Sequence, residues 1–132
     1  MKKVVNAIIF NENKFLIMKR SSSKENIHSG KWAFPGGIVE ENETAEQALK
    51  RELKEETNLE LKKIIKKISS YNYKRQNNED TYGECYLVDA DGKVLISEEA
   101  DDFRWVTIEE LGDLDFVDGM DEEILIAMNN LK

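Results

Sequence analysis

The chain has 132 residues, of which 27 are acidic and 19 basic, so that 19 − 27 gives a formal net charge of −8. This length favours one domain over residues 1–132 that buries roughly two-thirds of its unfolded surface, and the 40% hydrophobic content with a single proline excludes a disordered tail or a fibrous repeat. The negative charge argues against electrostatic binding to a nucleic acid polymer or to an anionic membrane.

The N-terminal segment predicts two strands, at residues 3–10 and 14–20, that are joined by a turn at Asn11–Asn13. The apolar start is too short for a signal peptide and is interrupted by Asn6. No apolar stretch approaches the roughly 20 residues of a membrane span. A polar loop that contains Ser21–Ser23 then runs to about residue 30.

A short apolar patch and a helix follow the loop. The patch, Trp32-Ala33-Phe34, stops at a predicted turn, Pro35-Gly36-Gly37. From Thr44 to Asn58 the apolar spacing is helical. Thr44 and Gln47 have capping-box spacing, and Asn58 suits the left-handed position that ends a helix.

The second half predicts mainly extended structure. Strands are expected at about 60–74 and 81–89, and Asp91-Gly92 reads as a tight hairpin turn into a strand at 93–96. Asp89, Asp91, Gly92 and Glu98 resemble part of a Ca²⁺-binding EF-hand loop, but the flanking strands favour the hairpin. A strand near 103–106 and a helix from about 121 to 131 complete an α/β or α+β chain with a mixed sheet.

Cysteine and histidine are each represented once, by Cys85 and His28. A single cysteine excludes a disulfide within the chain and indicates a reducing, cytoplasmic compartment. Cys85 lies in a predicted strand, which favours a buried structural thiol over a nucleophile. One histidine and one cysteine also exclude the usual zinc sites.

The predicted helix carries acidic residues on its apolar side. Its inward stripe is formed by Ala45, Ala48, Leu49 and Leu53, and Glu52, Glu55 and Glu56 fall on the same side. A solvated face would lie opposite the stripe, where the spacing instead places Gln47, Lys50, Lys54 and Thr57.

Three converging carboxylates repel one another, and their pKa values are expected to rise. The negative end of the helix dipole makes this repulsion worse. A hard divalent cation compensates, because it prefers oxygen ligands. Arg51, at the edge of the face, is placed to neutralise or orient one carboxylate. These residues therefore indicate a Mg²⁺ or Mn²⁺ site or, alternatively, a salt-bridged structural cluster.

The same residues resemble the Nudix box, G-x5-E-x7-R-E-U-x-E-E-x-G-U, in which U is aliphatic. Here Gly37 is followed after five residues by Glu43 and, after seven more, by Arg51-Glu52-Leu53-Lys54-Glu55-Glu56-Thr57-Asn58-Leu59. Eight of the nine specified positions match, and Asn58 replaces the glycine. Because asparagine also tolerates the left-handed conformation, the loop is expected to survive. Residues 32–37, Glu98-Glu99 and residues 103–105 resemble other family segments.

The resemblance implies an α/β/α sandwich and Mg²⁺-dependent hydrolysis of a nucleoside diphosphate linked to another group, with Mn²⁺ as an alternative metal. By position, Glu52, Glu55, Glu56 and the carbonyl of Gly36 would bind metal, together with Glu99 or its neighbour Glu98. Arg51 would orient a glutamate, Glu43 would support the loop, and Glu52 is the expected general base. Catalytic roles are thus assigned to Arg51, Glu52 and Glu56.

Substrate contacts are expected from residues outside the helix. Arg20, Lys31 or Arg75 could hold phosphates, and Phe34 could stack on a base or belong to the core. Tyr71 and Tyr73 lie where family members place substrate-selecting residues.

The sequence therefore predicts a pyrophosphohydrolase. Its expected substrate is a nucleoside triphosphate or similar nucleotide, oxidised ones included, which it would cleave to nucleoside monophosphate and pyrophosphate. The alternatives are an ADP-ribose, nucleotide-sugar or dinucleotide hydrolase, and a nucleotide-sensing module without catalysis. Many ADP-ribose hydrolases of the family carry a marker proline that this chain lacks, which counts against ADP-ribose as the substrate. The family also implies a possible homodimer, with a small nucleotide as the ligand.

Overall fold

The computed structural model describes residues 2–20, 30–74, 78–98, 100–116 and 120–131. The predicted Ser21–Ser23 loop, His28, Arg75 and Glu99 lie outside this part of the chain. In chain order, the elements are β1 (Lys2–Asn11), β2 (Lys14–Arg20), β3 (Trp32–Ala33), β4 (Gly36–Ile38), α1 (Ala45–Thr57), β5 (Glu60–Lys74), β6 (Asp80–Asp91), β7 (Ala100–Val106), a 3₁₀ turn (Glu109–Asp113) and α2 (Met120–Asn129).

The strands form one mixed sheet, as the sequence predicts, and their order in it is β3-β2-β1-β6-β5. β1 and β6 run parallel, with Val5 opposite Glu84, and the other pairs are antiparallel. β1 pairs with β2 near Phe10 and with β4 near Val5, while β7 pairs with β2. The centre of the sheet is therefore β1, which touches the glycine-rich strand β4.

Alternating side chains of β1 reach two separate apolar cores, one on each face of the sheet. Val5, Ala7 and Ile9 face α1, where they pack with Leu49 and Leu53. On the other face, Ile8 packs with residues of α2 such as Ile124. Because strand side chains alternate with a period of two, one apolar strand supports both layers. The α/β/α sandwich is confirmed.

Helix α1 begins and ends where local sequence signals predict. The side-chain oxygen of Thr44 accepts a hydrogen bond from Gln47 N, and the Gln47 side chain returns to the Thr44 backbone. At the other end Asn58 adopts the left-handed conformation, with φ 69°, and its N–H donates to the Lys54 carbonyl. Asparagine therefore takes the position for which the Nudix box has glycine.

The predicted hairpin at Asp91-Gly92 and strand at 93–96 are wrong. Residues 93–97 contain no strand; instead Leu95 N donates to the Thr57 carbonyl, and Asn58 Nδ2 donates to the Lys93 carbonyl. β6 already pairs along its length with β1 on one side and β5 on the other. A hairpin strand after β6 therefore has no free edge to join, and the segment covers the end of α1.

Because residues 93–97 cover the end of α1, the expected position of Thr57 is also wrong. Helical spacing places Thr57 opposite the apolar stripe, yet it is fully buried. Its hydroxyl donates to the Leu53 carbonyl and accepts from Leu59 N, so its polar groups remain satisfied.

Cys85 is fully buried in β6, as the strand pattern predicts. Burial raises the pKa of its thiol, so the reactive thiolate is disfavoured. Within the described residues, no helix is long and apolar enough to cross a membrane.

Glu84 of β6 is a buried carboxylate held by two lysines. It is 6% exposed, with Lys3 Nζ 3.0 Å from Oε1 and Lys67 Nζ 2.6 Å from Oε2. Burial alone would raise the pKa of Glu84, but the hydrogen bonds from Lys67 and Lys3 outweigh it and lower the pKa to about 2. The ionised form is therefore favoured by folding.

Replacing Glu84 by Gln is expected to lower the free energy of unfolding at pH 7 by about 3 kcal/mol. Because the folded pKa lies below the unfolded value of 4.5, the wild-type advantage is complete above that value and is lost as the pH falls towards 2. Urea unfolding at pH 7, 4 and 2.5 measures this, with the exposed Glu46→Gln as control. A pH-independent difference would contradict the expectation.

Candidate active site

Two carboxylates of α1, Glu52 and Glu56, meet beside strand β4. They are one helical turn apart, and the Glu52 carboxyl lies against Gly37 of β4. Gly36 N donates to Glu56 Oε2 at 3.3 Å, and only 12% of the Glu52 side chain is exposed. The sequence prediction that these residues share the inward side of the helix is confirmed for this pair.

Burial and mutual repulsion change the ionisation of the pair. Burial and the Glu52 charge raise the pKa of Glu56 to about 8, although Arg20 and the Gly36 N–H oppose this rise. Burial also raises the pKa of Glu52, despite its hydrogen bond from Arg51. Without a compensating cation, ionisation of both carboxyls at once is therefore disfavoured.

Arg51 joins the helix to the loop that precedes it. Its Nε and Nη2 bond the two oxygens of Glu43 at 2.8 and 2.9 Å, and Nη2 also donates to the Ile38 carbonyl. Its Nη1 donates to Glu52 Oε1 at 2.8 Å. Glu43 accepts in turn from Glu40 N and so fixes the loop. The salt-bridge interpretation thus describes Glu43, Glu52 and Glu55, which all pair with Arg51. Glu56 instead accepts a hydrogen bond from Gly36 N.

The other described candidate metal ligands, Glu55 and Glu98, are more exposed than Glu52 and Glu56. The Glu55 side chain is 59% exposed, with Oε2 3.6 Å from Arg51 Nη1. Glu98 is exposed on the loop before β7. In the part of the chain described here, which omits Glu99, no three acidic, histidine or cysteine side chains are close enough together to hold a metal ion.

Gly36 and Gly37 leave room for side chains that pack closely against the strand from both faces of the sheet. They form strand β4 with negative φ rather than the predicted turn, because they pair with Asn6 and Val5 of β1. A Cβ on Gly37 would lie 2.6 Å from Glu52 Oε2, so the missing side chain makes room for this carboxylate. Glycine is needed here for close approach and not for a left-handed conformation.

Replacing Gly37 by Ala is expected to lower the hydrolytic activity that the Nudix resemblance implies by about 10²-fold, because the new methyl group displaces the Glu52 carboxylate by roughly an ångström. Steady-state kinetics measures the loss. Gly112→Ala is the matched control, since a Cβ there meets nothing within 4 Å. Equal activity of both variants would show that the position of Glu52 is unimportant.

A shallow cleft beside Glu56 contains two of the predicted substrate residues, Arg20 and Phe34. Phe34 is only 4% exposed and also belongs to the core on the α2 face. Tyr73 is placed differently: it is 40% exposed on β5, and its ring stacks on that of Tyr71 with centroids 5.7 Å apart. The predicted substrate residues therefore occupy two regions.

Sequence reasoning missed several residues at this site. Met18, Ser97 and Ala100 also line the cleft, and no local pattern identifies them. Asn6 lies opposite Gly36. It could have been found from the sequence, because it is a polar residue within an apolar strand.

The donor set is chemically suited to a hard divalent cation. Carboxylate and carbonyl oxygens are the ligands that Mg²⁺ and Mn²⁺ prefer. The raised pKa of Glu56 beside Glu52 is the electrostatic cost that such a cation would offset. Glu52, Glu56 and the neighbouring Gly36 carbonyl could therefore hold one, with Glu55 at the exposed edge.

Comparison with known proteins gives consistent matches. The chain matches the family model described as the NUDIX domain over residues 1–126. It is 33% identical over 124 residues to the nucleoside triphosphatase NudI of Klebsiella pneumoniae strain 342, covering 85% of this chain and 86% of that protein.

Two solved structures share the fold across almost the whole chain. The E. coli ORF135 protein aligns with a TM-score of 0.79 at 27% identity, covering 98% of this chain and 89% of that one. The MutT protein from Methanosarcina mazei Go1 also aligns with a TM-score of 0.79, at 25% identity, covering 99% of this chain and 96% of that one.

Proposed function

The chain belongs to the Nudix family and is a hydrolase of phosphoanhydride bonds, and on that premise we propose that it cleaves a nucleoside triphosphate or a related nucleoside diphosphate linked to another group. The products are nucleoside monophosphate and pyrophosphate, or the corresponding phosphorylated group. The observation that carries this proposal is the position of the partly buried carboxyls of Glu52 and Glu56, one helical turn apart and set against Gly37 and Gly36 of β4. The similarity to a nucleoside triphosphatase supports the substrate class.

Metal ligation is assigned to Glu52, Glu55, Glu56, the Gly36 carbonyl and Glu99. A Mg²⁺ ion, or Mn²⁺ in its place, would neutralise phosphate charge and polarise the bond to be cleaved. Arg51 holds one oxygen of Glu52 and so fixes the direction of that carboxylate.

The hydrolytic step places a proton on Glu52. A water oxygen bonds to a phosphorus atom of the α–β link, and the bridging P–O bond breaks. The bridging oxygen leaves with pyrophosphate when the α-phosphorus is attacked and with the nucleoside monophosphate when the β-phosphorus is attacked, and a water proton passes to the Glu52 carboxylate. The charge of Arg20 in the cleft beside Glu56 suits contact with the outer phosphates, and Phe34 forms a wall of the same cleft. Tyr73 is assigned to the base, because its exposed ring offers a stacking face.

The ligand is a small nucleotide, and the buried free thiol of Cys85 suits the reducing cytoplasm. β5 lies at one edge of the sheet, where edge pairing could support a homodimer that sedimentation would detect.

A substrate panel with product identification tests the proposal. Nucleoside triphosphates, oxidised ones included, are incubated with Mg²⁺ or Mn²⁺ beside ADP-ribose, a nucleotide sugar and a dinucleotide. Phosphate release is scored with and without added pyrophosphatase. Release that requires pyrophosphatase, together with nucleoside monophosphate, is the expected result. Preferred cleavage of another class would overturn the substrate assignment, and binding without cleavage would favour a sensing module.

A further inference from the structure

Asn6 makes a long-range hydrogen bond across the sheet. It lies in β1 between the fully buried Val5 and Ala7, and its Nδ2 donates to the Tyr71 hydroxyl at 2.8 Å. Tyr71 belongs to β5, which is separated from β1 by β6. Because neighbouring strands are about 4.8 Å apart, the Tyr71 ring must reach across a whole strand to make this bond.

Gly83 of β6 lets the ring do so. It is the direct cross-strand neighbour of Tyr71, and a Cβ at Gly83 would lie 2.8 Å from the Tyr71 hydroxyl oxygen and still closer to its ring carbons. The ring therefore lies over the glycine, an arrangement in which an aromatic side chain covers a glycine in the neighbouring strand. Tyr73 stacks on this ring, with 29° between the ring planes, and remains 40% exposed.

The other side of Asn6 contacts the candidate active site. Asn6 is the cross-strand partner of Gly36, and a Cβ on Gly36 would lie 2.6 Å from Asn6 Oδ1. Gly36 N in turn donates to Glu56. One side chain thus touches both the strand that carries a candidate metal ligand and the tyrosine pair on β5.

We propose that Asn6 and Gly83 are positioning residues that set the orientation of Tyr71, and through it of a Tyr71–Tyr73 shelf on which the base of the nucleotide stacks. The inference rests on the proposed function, because a base is present only if the substrate is a nucleotide. Gly83 fixes how closely the ring lies on the sheet, and Asn6 fixes its direction relative to Gly36. The shelf is thereby held at a set distance from the site of hydrolysis.

Binding of product-like ligands tests the inference separately from catalysis. Calorimetry with Mg²⁺ compares each of the four common nucleoside monophosphates with ribose 5-phosphate, which lacks a base. The affinity ratio of the tightest monophosphate to ribose 5-phosphate measures the contribution of the base. We expect a wild-type ratio of about tenfold or more, and a ratio near one in Tyr73→Ala, since stacking on an aromatic ring contributes on this scale.

The positioning variants are Asn6→Ala, Tyr71→Phe, their combination and Gly83→Ala. Each is expected to lower the ratio by about threefold or more. Asn6→Ala and Tyr71→Phe should be non-additive, because they remove the same hydrogen bond. Gly112→Ala and Tyr82→Phe are matched controls, the latter because Tyr82 contacts Glu84 and Lys67 on the opposite face.

Thermal unfolding identifies variants that fail to fold. If Gly83→Ala fails to fold, Tyr71→Phe still tests the inference, because it loses only a hydroxyl group. A wild-type ratio near one, or ratios in folded variants equal to the wild-type ratio, would overturn the inference even if hydrolysis is observed. Conversely, absence of hydrolysis in the substrate panel would overturn the proposed function, whatever the ratios are.

Discussion

Replacing both Glu55 and Glu56 by glutamine is expected to lower turnover of the proposed nucleoside triphosphate substrate by at least about 10³-fold while the fold remains intact. Glutamine keeps the shape of glutamate but carries no charge, so it cannot balance a divalent cation. Glu56 contacts Gly36 N, and an amide can occupy the same space. Steady-state kinetics with saturating Mg²⁺ measures the loss.

The stability of the double variant distinguishes a lost ligand from a damaged fold. The pKa of Glu56 is about 8 in the folded chain, above the unfolded value of 4.5. In buffer without divalent cations, ionising Glu56 therefore costs folding free energy increasingly as the pH rises from about 4.5 to 8. The double variant should gain stability relative to wild type at pH 8 compared with pH 5, which thermal unfolding measures.

Glu46→Gln on the same helix is the matched control, because Glu46 is exposed in the first turn of α1. It should retain full turnover and show no such pH dependence. A folded double variant with wild-type turnover would contradict the assignment of these carboxylates to the active site.

Replacing Arg51 by Lys is expected to lower the free energy of unfolding by about 2 kcal/mol and turnover by about 10- to 100-fold. The guanidinium binds both oxygens of Glu43, the Ile38 carbonyl and Glu52 Oε1 at once. An ammonium group cannot reproduce this planar fork, so Glu52 loses its orientation. Urea unfolding and steady-state kinetics measure the two effects.

Arg104→Lys is the control for Arg51→Lys, because Arg104 is exposed and its guanidinium lies 5.1 Å from the Trp32 ring centroid, a contact of modest energy. Glu43→Gln should be non-additive with Arg51→Lys, since both disturb the same pair. Wild-type stability and activity of Arg51→Lys would show that the fork does not hold the site.

Local signals explain which parts of this molecule can be predicted from sequence. The Thr44–Gln47 cap and the left-handed Asn58 depend on residues within one helix turn, and both are confirmed. The spacing of Glu52 and Glu56 along α1 likewise predicts their convergence, because the geometry of a helix is regular.

Features that depend on distant segments escaped prediction. The strand expected at 93–96 fails because β5 and β1 already occupy both edges of β6, and neither partner is visible from the local pattern. Thr57 is buried because that same segment folds over the end of the helix. Pairing of β1 with β4 places Asn6 against Gly36, across 30 residues of chain, which no periodicity encodes.

In the proposed mechanism, the carboxylates of α1 hold the divalent cation on which hydrolysis depends. Titration with Mn²⁺, followed by the loss of the free-ion electron paramagnetic resonance signal, tests it without reference to substrate. Wild type and Glu46→Gln should bind Mn²⁺ with equal affinity, and the Glu55→Gln, Glu56→Gln double variant should bind at least about tenfold more weakly. Equal Mn²⁺ affinity in all three proteins would contradict the claim.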